Sequence, residues 1–188
     1  MPGIILEGGT FRPIFSAGVM DALLDEDIMF PYMIGVSAGI CDGFSYISKQ
    51  KERNLKILMN HRNDKRYMGA RNLLIPIRRS IEDGNDKNLI VLTRPEGYRK
   101  ELSKSNKAAA KLLKRKYPHL PELLLNRHIR YNKTVRYCEQ LEREGKAVIL
   151  RPEYTIDSLE KDIDVLKQTY DMGYRVTKEN INRIKELF

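Results

Sequence analysis

A chain of 188 residues is long enough to bury one core and too short for two domains of ordinary size. Hydrophobic residues at 41% and charged residues at 31% exclude a disordered composition, and no apolar run approaches the roughly 20 residues needed to cross a bilayer. The formal charge of +9 leaves three readings open: nucleic acid, an anionic membrane surface, or solubility alone.

The elements alternate along the chain. GIILE at 3–7 is a short apolar run closed by a Gly pair, which predicts a buried strand. Pro13 can then open a helix, since its missing N–H costs little in a first turn, and Ile14, Ala17, Met20 and Leu23 give that helix an apolar face. A second strand is expected through Met33, Ile34 and Val36, with helices over 38–48 and 52–60. Residues 78–82 predict a helix closed by Gly84, and NLIVLT at 88–93 is the clearest strand in the chain. Helices over 104–116 and 120–144 follow, the second closed by Gly145. AVILRP at 147–152 predicts a strand stopped by Pro152. Ser158 is expected to cap a helix with Lys161 and Asp162 in its first turns, and residues 177–188 to form a last amphipathic helix. Strands separated by helices imply parallel pairing. The expectation is therefore one α/β domain over 1–188, a doubly wound, mostly parallel sheet with helices on both faces.

The N-terminus lacks the charged start and small-residue cleavage site of a signal peptide, so a cytoplasmic chain is expected. Cys41 and Cys138 form no C-x-x-C pair, and neither a disulfide nor a metal site is suggested. Lys100, Lys104, Lys107, Lys111, Lys114, Arg115 and Lys116 crowd one stretch, which reads as a solvated helix face or as a binding surface. No zinc finger, RNP-type aromatic motif or GXXG clamp accompanies it, and no nucleic-acid partner is expected.

MIGVSAGICDG at 33–43 holds a G-x-S-x-G pattern from Gly35 to Gly39, with Ser37 at a strand–helix junction. That is the context of a nucleophile elbow, where small neighbours let the turn lift the hydroxyl off the end of the sheet. The new helix's unpaired N–H groups favour negative charge near that hydroxyl. The same letters also fit an ordinary turn with glycines for close packing. One strand earlier, EGGTFRP at 7–13 is a Gly-rich turn entering a helix, able to stabilise an oxyanion or cradle a phosphate, or to be a plain tight turn.

Together, LEGGTFRPIFSAGVMDAL and YMIGVSAGICDG resemble the patatin-like phospholipases, in particular their bacterial branch. The likeness runs over residues 3–60, and IPIRRSIEDGNDKNLIVLTRPEGYRK and AVILRPE also look like later family sequence. The resemblance implies a patatin-like three-layer sandwich and a serine acyl hydrolase that cleaves lipid or phospholipid esters through a Ser–Asp dyad, with no cofactor and no metal. By position it makes Ser37 the nucleophile and Gly8, Gly9, Thr10, Phe11 and Arg12 the oxyanion loop, with Gly35 and Gly39 shaping the elbow. Thr10 and Pro13 stand where the family pattern has glycines, so a positive φ at Thr10 would be strained.

The dyad's second member is not found. The family places its Asp in a D-G-G or D-G-A turn shortly before a segment like IPI at 75–77, whereas MGARNLL precedes it here, as though an interior segment were absent between about 74 and 75. Asp42 lies five residues past Ser37, about 7 Å along the same helix, and should point elsewhere. Asp83 is a weak candidate because it closes a helix. His61, His119 and His128 read as surface or packing residues. A second expectation follows from the missing base: a catalytically impaired relative that binds an anionic lipid surface or serves as a scaffold.

Overall fold

A computed structural model describes residues 1–61 and 75–188, with His61 described by its backbone alone. Among the described residues the order is β1 (Pro2–Leu6), α1 (Ile14–Asp25), β2 (Tyr32–Gly35), α2 (Ala38–Ile47), α3 (Arg53–His61), α4 (Ile77–Glu82), β3 (Lys87–Val91), α5 (Lys104–Leu113), α6 (Leu120–Arg143), β4 (Ala147–Leu150), α7 (Ile163–Glu179) and α8 (Ile181–Lys185). The four strands form one sheet in the order β2-β1-β3-β4. All three pairings are parallel, with Ile5 opposite both Ile34 and Ile90. The chain is an α/β protein, as expected from its alternating strands and helices.

The near-continuous apolar runs of β1, β3 and β4 make sense because both faces of the sheet are covered. Ile4, Leu6, Leu89, Val91, Val148 and Leu150 point to one side, where they meet Phe15, Val19 and Leu23 of α1, Met172 of α7 and Ile184 of α8. Ile5, Ile90 and Ile149 point to the other and meet Ile77 of α4 and Tyr131, Val135 and Cys138 of α6. The period-2 alternation of a strand thus feeds two cores.

Helix α1 is buried at every position from Ile14 to Leu23, because α7 closes over it. The two cross at glycines. A Cβ on Gly18 would lie 2.0 Å from the Tyr170 carbonyl oxygen, and one on Gly173 2.0 Å from that of Phe15. At the same crossing the Tyr170 hydroxyl donates to Asp21 Oδ2 at 2.5 Å.

Two expected helix boundaries are corrected. Ser158 caps nothing: its carbonyl accepts the Phe11 N–H at 3.2 Å, while Asp162 is the N-cap of α7, accepting from Asp164 N at 2.8 Å and Val165 N at 3.3 Å. The last helix does not run over 177–188. Helix α7 continues to Glu179, and Asn180, whose amide donates to the Val176 carbonyl at 2.9 Å, separates it from the short α8. The interior gap expected at 74/75 falls at the edge of residues outside the described ones. No described helix is long and apolar enough to cross a membrane.

Candidate active site

The sheet's parallel strands deliver two loops side by side at their C-terminal ends. β1 runs into Glu7-Gly8-Gly9-Thr10, and β2 runs into Val36-Ser37, with Val36 N–H still bonded to the Leu6 carbonyl at 3.0 Å. Ser37 then opens α2 at φ 54° and ψ −127°. A residue with a Cβ held there stores of order 1–3 kcal/mol of strain, and such strain concentrates at functional turns.

The elbow closes only because its glycines lack side chains. A Cβ on Gly35 would lie 2.9 Å from Ile40 Cα, and one on Gly39 would lie 2.7 Å from the Glu7 carbonyl oxygen. Gly8 is the contact between the loops: a Cβ there would sit 2.5 Å from the Val36 carbonyl oxygen and 3.0 Å from Ser37 Cβ. The loop after β1 therefore rests directly on the turn that holds Ser37.

Backbone accounting narrows the expected oxyanion loop. Phe11 N–H is committed to the Ser158 carbonyl at 3.2 Å and Arg12 N–H to the Gly9 carbonyl at 3.2 Å, so these two amides are not donors to a ligand. Phe11 is a core residue, 1% exposed. Gly8, Gly9 and Thr10, together with Ala38 just after Ser37, have N–H groups with no backbone acceptor among the described residues. Thr10 adopts φ 58°, the left-handed conformation that burdens a β-branched residue. The strain expected from its sequence position is present.

Beside this loop lies a charged cluster. Glu7 is buried and held by neutral donors: Thr93 N–H at 2.6 Å and Thr93 Oγ1 at 3.0 Å to one oxygen, and the Tyr131 hydroxyl at 3.0 Å to the other. Burial and then the Glu7 charge push the Tyr131 hydroxyl's pKa upward. Lys100 Nζ sits 4.0 Å above the Tyr131 ring, and the Arg94 guanidinium 4.6 Å above that of Tyr98. The two rings meet edge to face, their centroids 6.3 Å apart.

Arg12 folds back over Gly9, where a Cβ would come within 2.7 Å of Nη2. Its Nε is buried with no hydrogen-bond acceptor among the described residues. Burial and then the neighbouring Arg94 lower its pKa. Burial first, then Arg127, pulls the Lys100 pKa down to about 8, with Arg12 and Arg94 acting in the same direction.

The aspartates weighed for the base are not brought to Ser37. Asp83 lies at the far end of β2 from Ser37, where it accepts from the hydroxyl of Tyr32, first residue of that strand, at 2.8 Å. That bond, together with Arg79, holds its carboxyl below the usual range. Asp42 is turned into the protein, 3% exposed, with Asn54 Nδ2 donating to it at 2.7 Å. Burial pushes its carboxyl well above the ordinary range, which suits a neutral acid rather than a base. His119 is exposed ahead of α6, and His128 lies partly buried within it. The side chain of His61 lies outside the described residues. No group of three or more His, Cys, Asp or Glu among the described residues could hold a metal ion.

Glu7, Thr93, Arg94, Lys100 and Tyr131 escape a motif search, since they come from four separate segments. Glu7 and Tyr131 are 124 residues apart. A polar Glu ending an otherwise apolar strand was the available signal.

Residues 117–188 match a family model described as a domain of unknown function, DUF6363. The matched stretch takes in α6, β4, α7 and α8 and leaves the Ser37 elbow outside it. No curated protein and no solved structure matches the chain.

Proposed function

We propose that the protein is a serine acyl hydrolase that cleaves lipid ester bonds through an acyl-enzyme on Ser37. The observation that carries this reading is the strained Ser37 turn, packed on Gly8, with N–H groups on both adjoining loops that have no backbone acceptor among the described residues. The likeness of residues 3–60 to the patatin-like phospholipases supports it. A general base takes the Ser37 proton, the alkoxide attacks the ester carbonyl, and N–H groups of Gly8, Gly9, Thr10 and Ala38 receive the developing negative charge. The alcohol leaves and water then releases the acid. Neither Asp42 nor Asp83 takes the role of base.

A fluorophosphonate probe is expected to label the protein at Ser37, as read by peptide mass spectrometry. Labelling of the native protein no faster than of Ser37→Ala would count against an activated serine.

A specific surface favours a second reading, in which the chain docks on anionic lipid with or without turnover. Leu112 at 82% and Tyr117 at 48% exposure share one short stretch with the exposed Lys111, Lys114, Arg115 and Lys116. Apolar side chains flanked by cations suit the headgroup boundary of an anionic bilayer. Sedimentation with vesicles containing phosphatidylserine is expected to fall at high salt and with the triple change Lys111→Glu, Lys114→Glu and Lys116→Glu. Equal sedimentation of that variant would remove the reading.

A further inference from the structure

We propose that Arg12, Arg94 and Lys100 form a binding site for a phosphomonoester dianion beside the Gly8–Gly9 loop, so that the acyl substrate is one bearing a terminal phosphate. The inference rests on the Ser37 reading for its link to turnover, but the site itself stands on separate observations.

Three cations gather around one buried carboxylate, and that carboxylate is already satisfied. Glu7 spends its oxygens on the Thr93 N–H, the Thr93 hydroxyl and the Tyr131 hydroxyl, so it forms no ion pair with any of the three. Among the described residues the side chains of Arg12, Arg94 and Lys100 have no hydrogen-bond acceptor, and the Arg12 Nε is buried without one. Half-buried cations packed together repel one another and lose part of their hydration, a cost that an anion among them would offset. Arg127 adds its charge to the field at Lys100, and this excess of positive over negative charge suits a dianionic phosphate better than a singly charged group.

The aromatic groups argue against a zwitterionic headgroup. A quaternary ammonium is held by open ring faces, but Lys100 covers Tyr131 and Arg94 covers Tyr98. A choline would meet two cations where it needs two bare rings. Placement ties the site to the chemistry: Glu7 leads into Gly8, whose Cα packs on Ser37, and Arg12 lies on Gly9. A phosphate held by Arg12 therefore lies on the same loop that offers its N–H groups beside Ser37.

The test uses the full chain as Ser37→Ala, so that binding is read without turnover. Titration calorimetry with dihexanoyl phosphatidic acid below its micelle concentration is expected to show roughly tenfold or tighter binding than dihexanoyl phosphatidylcholine. Arg94→Gln and Lys100→Met, each checked for native unfolding temperature, are expected to weaken the acid's binding roughly tenfold. Inorganic phosphate bound as tightly as the lipid would assign the site to free phosphate and refute the phosphorylated acyl substrate; clearly weaker phosphate binding supports the lipid. Equal affinity for both lipids, or unchanged affinity in both variants, overturns the site. An active hydrolase with no headgroup preference would sink this inference and leave Ser37 standing, whereas selective binding without any turnover would do the reverse.

Discussion

Ser37→Ala is expected to lower ester hydrolysis by roughly 10³- to 10⁶-fold while leaving the fold intact. The range follows from removing a nucleophile whose surroundings still offer transition-state donors: the amides of Gly8, Gly9, Thr10 and Ala38 remain, and such groups alone sustain residual catalysis. Alanine keeps the Cβ, so the strain at φ 54° stays as it was. Glycine at the same position makes the sharper comparison. Ser37→Gly should be equally inactive yet more stable, by about 1 kcal/mol, because a left-handed φ costs glycine little. Urea unfolding of the three proteins, alongside hydrolysis of a short-chain ester, gives both readings. An alanine variant with near-native turnover would end the acyl-enzyme mechanism, and a glycine variant less stable than the native chain would show that the elbow is not strained.

Gly18→Ala is the second large effect, and its sign separates local from tertiary physics. On helix propensity alone, alanine in the middle of α1 should stabilise by about 1 kcal/mol. The crossing with α7 predicts the opposite, since the new Cβ would lie 2.0 Å from the Tyr170 carbonyl oxygen and the obstacle is backbone. The helices would have to separate, which also stretches the Asp21–Tyr170 hydrogen bond. A loss of about 3 kcal/mol is expected, or roughly 6–12 °C in melting temperature for a chain of this size. Gly173→Ala should do the same through Phe15. Calorimetry that finds either variant as stable as the native chain would show that the helices can part at little cost.

Much of the architecture was legible because local signals and the global fold agree. The apolar runs at 3–7, 88–93 and 147–152 mark strands buried on both faces, and Gly84 and Gly145, at φ +88° and +70°, end the helices they were expected to end. The tight strand–helix turn at Ser37 was legible for a related reason, since G-x-S-x-G carries its requirement for close approach in five adjacent residues. Ser158 misled because a Ser before a charged stretch looks like a cap whatever its carbonyl does. Its carbonyl is tied to Phe11, and the helix waits for Asp162. The break at Asn180 was hidden by an apolar pattern that runs through it. Lys100 read as one more cation in a solvated run, and only the fold brings it over Tyr131. Pairings of that kind depend on contacts between distant segments, which no window of sequence contains.

The α1–α7 crossing also sets a timetable for synthesis. Asp21 and Tyr170 are 149 residues apart, so a ribosome adding about 5–20 residues per second delivers α1 roughly 7–30 s before the helix that covers it. During that interval Gly18 and its apolar neighbours have no native cover. The nascent chain must shield this face or be shielded by a chaperone, and the bond that ties Phe11, in the loop beside Ser37, to the Ser158 carbonyl can form only once the final quarter of the chain has emerged.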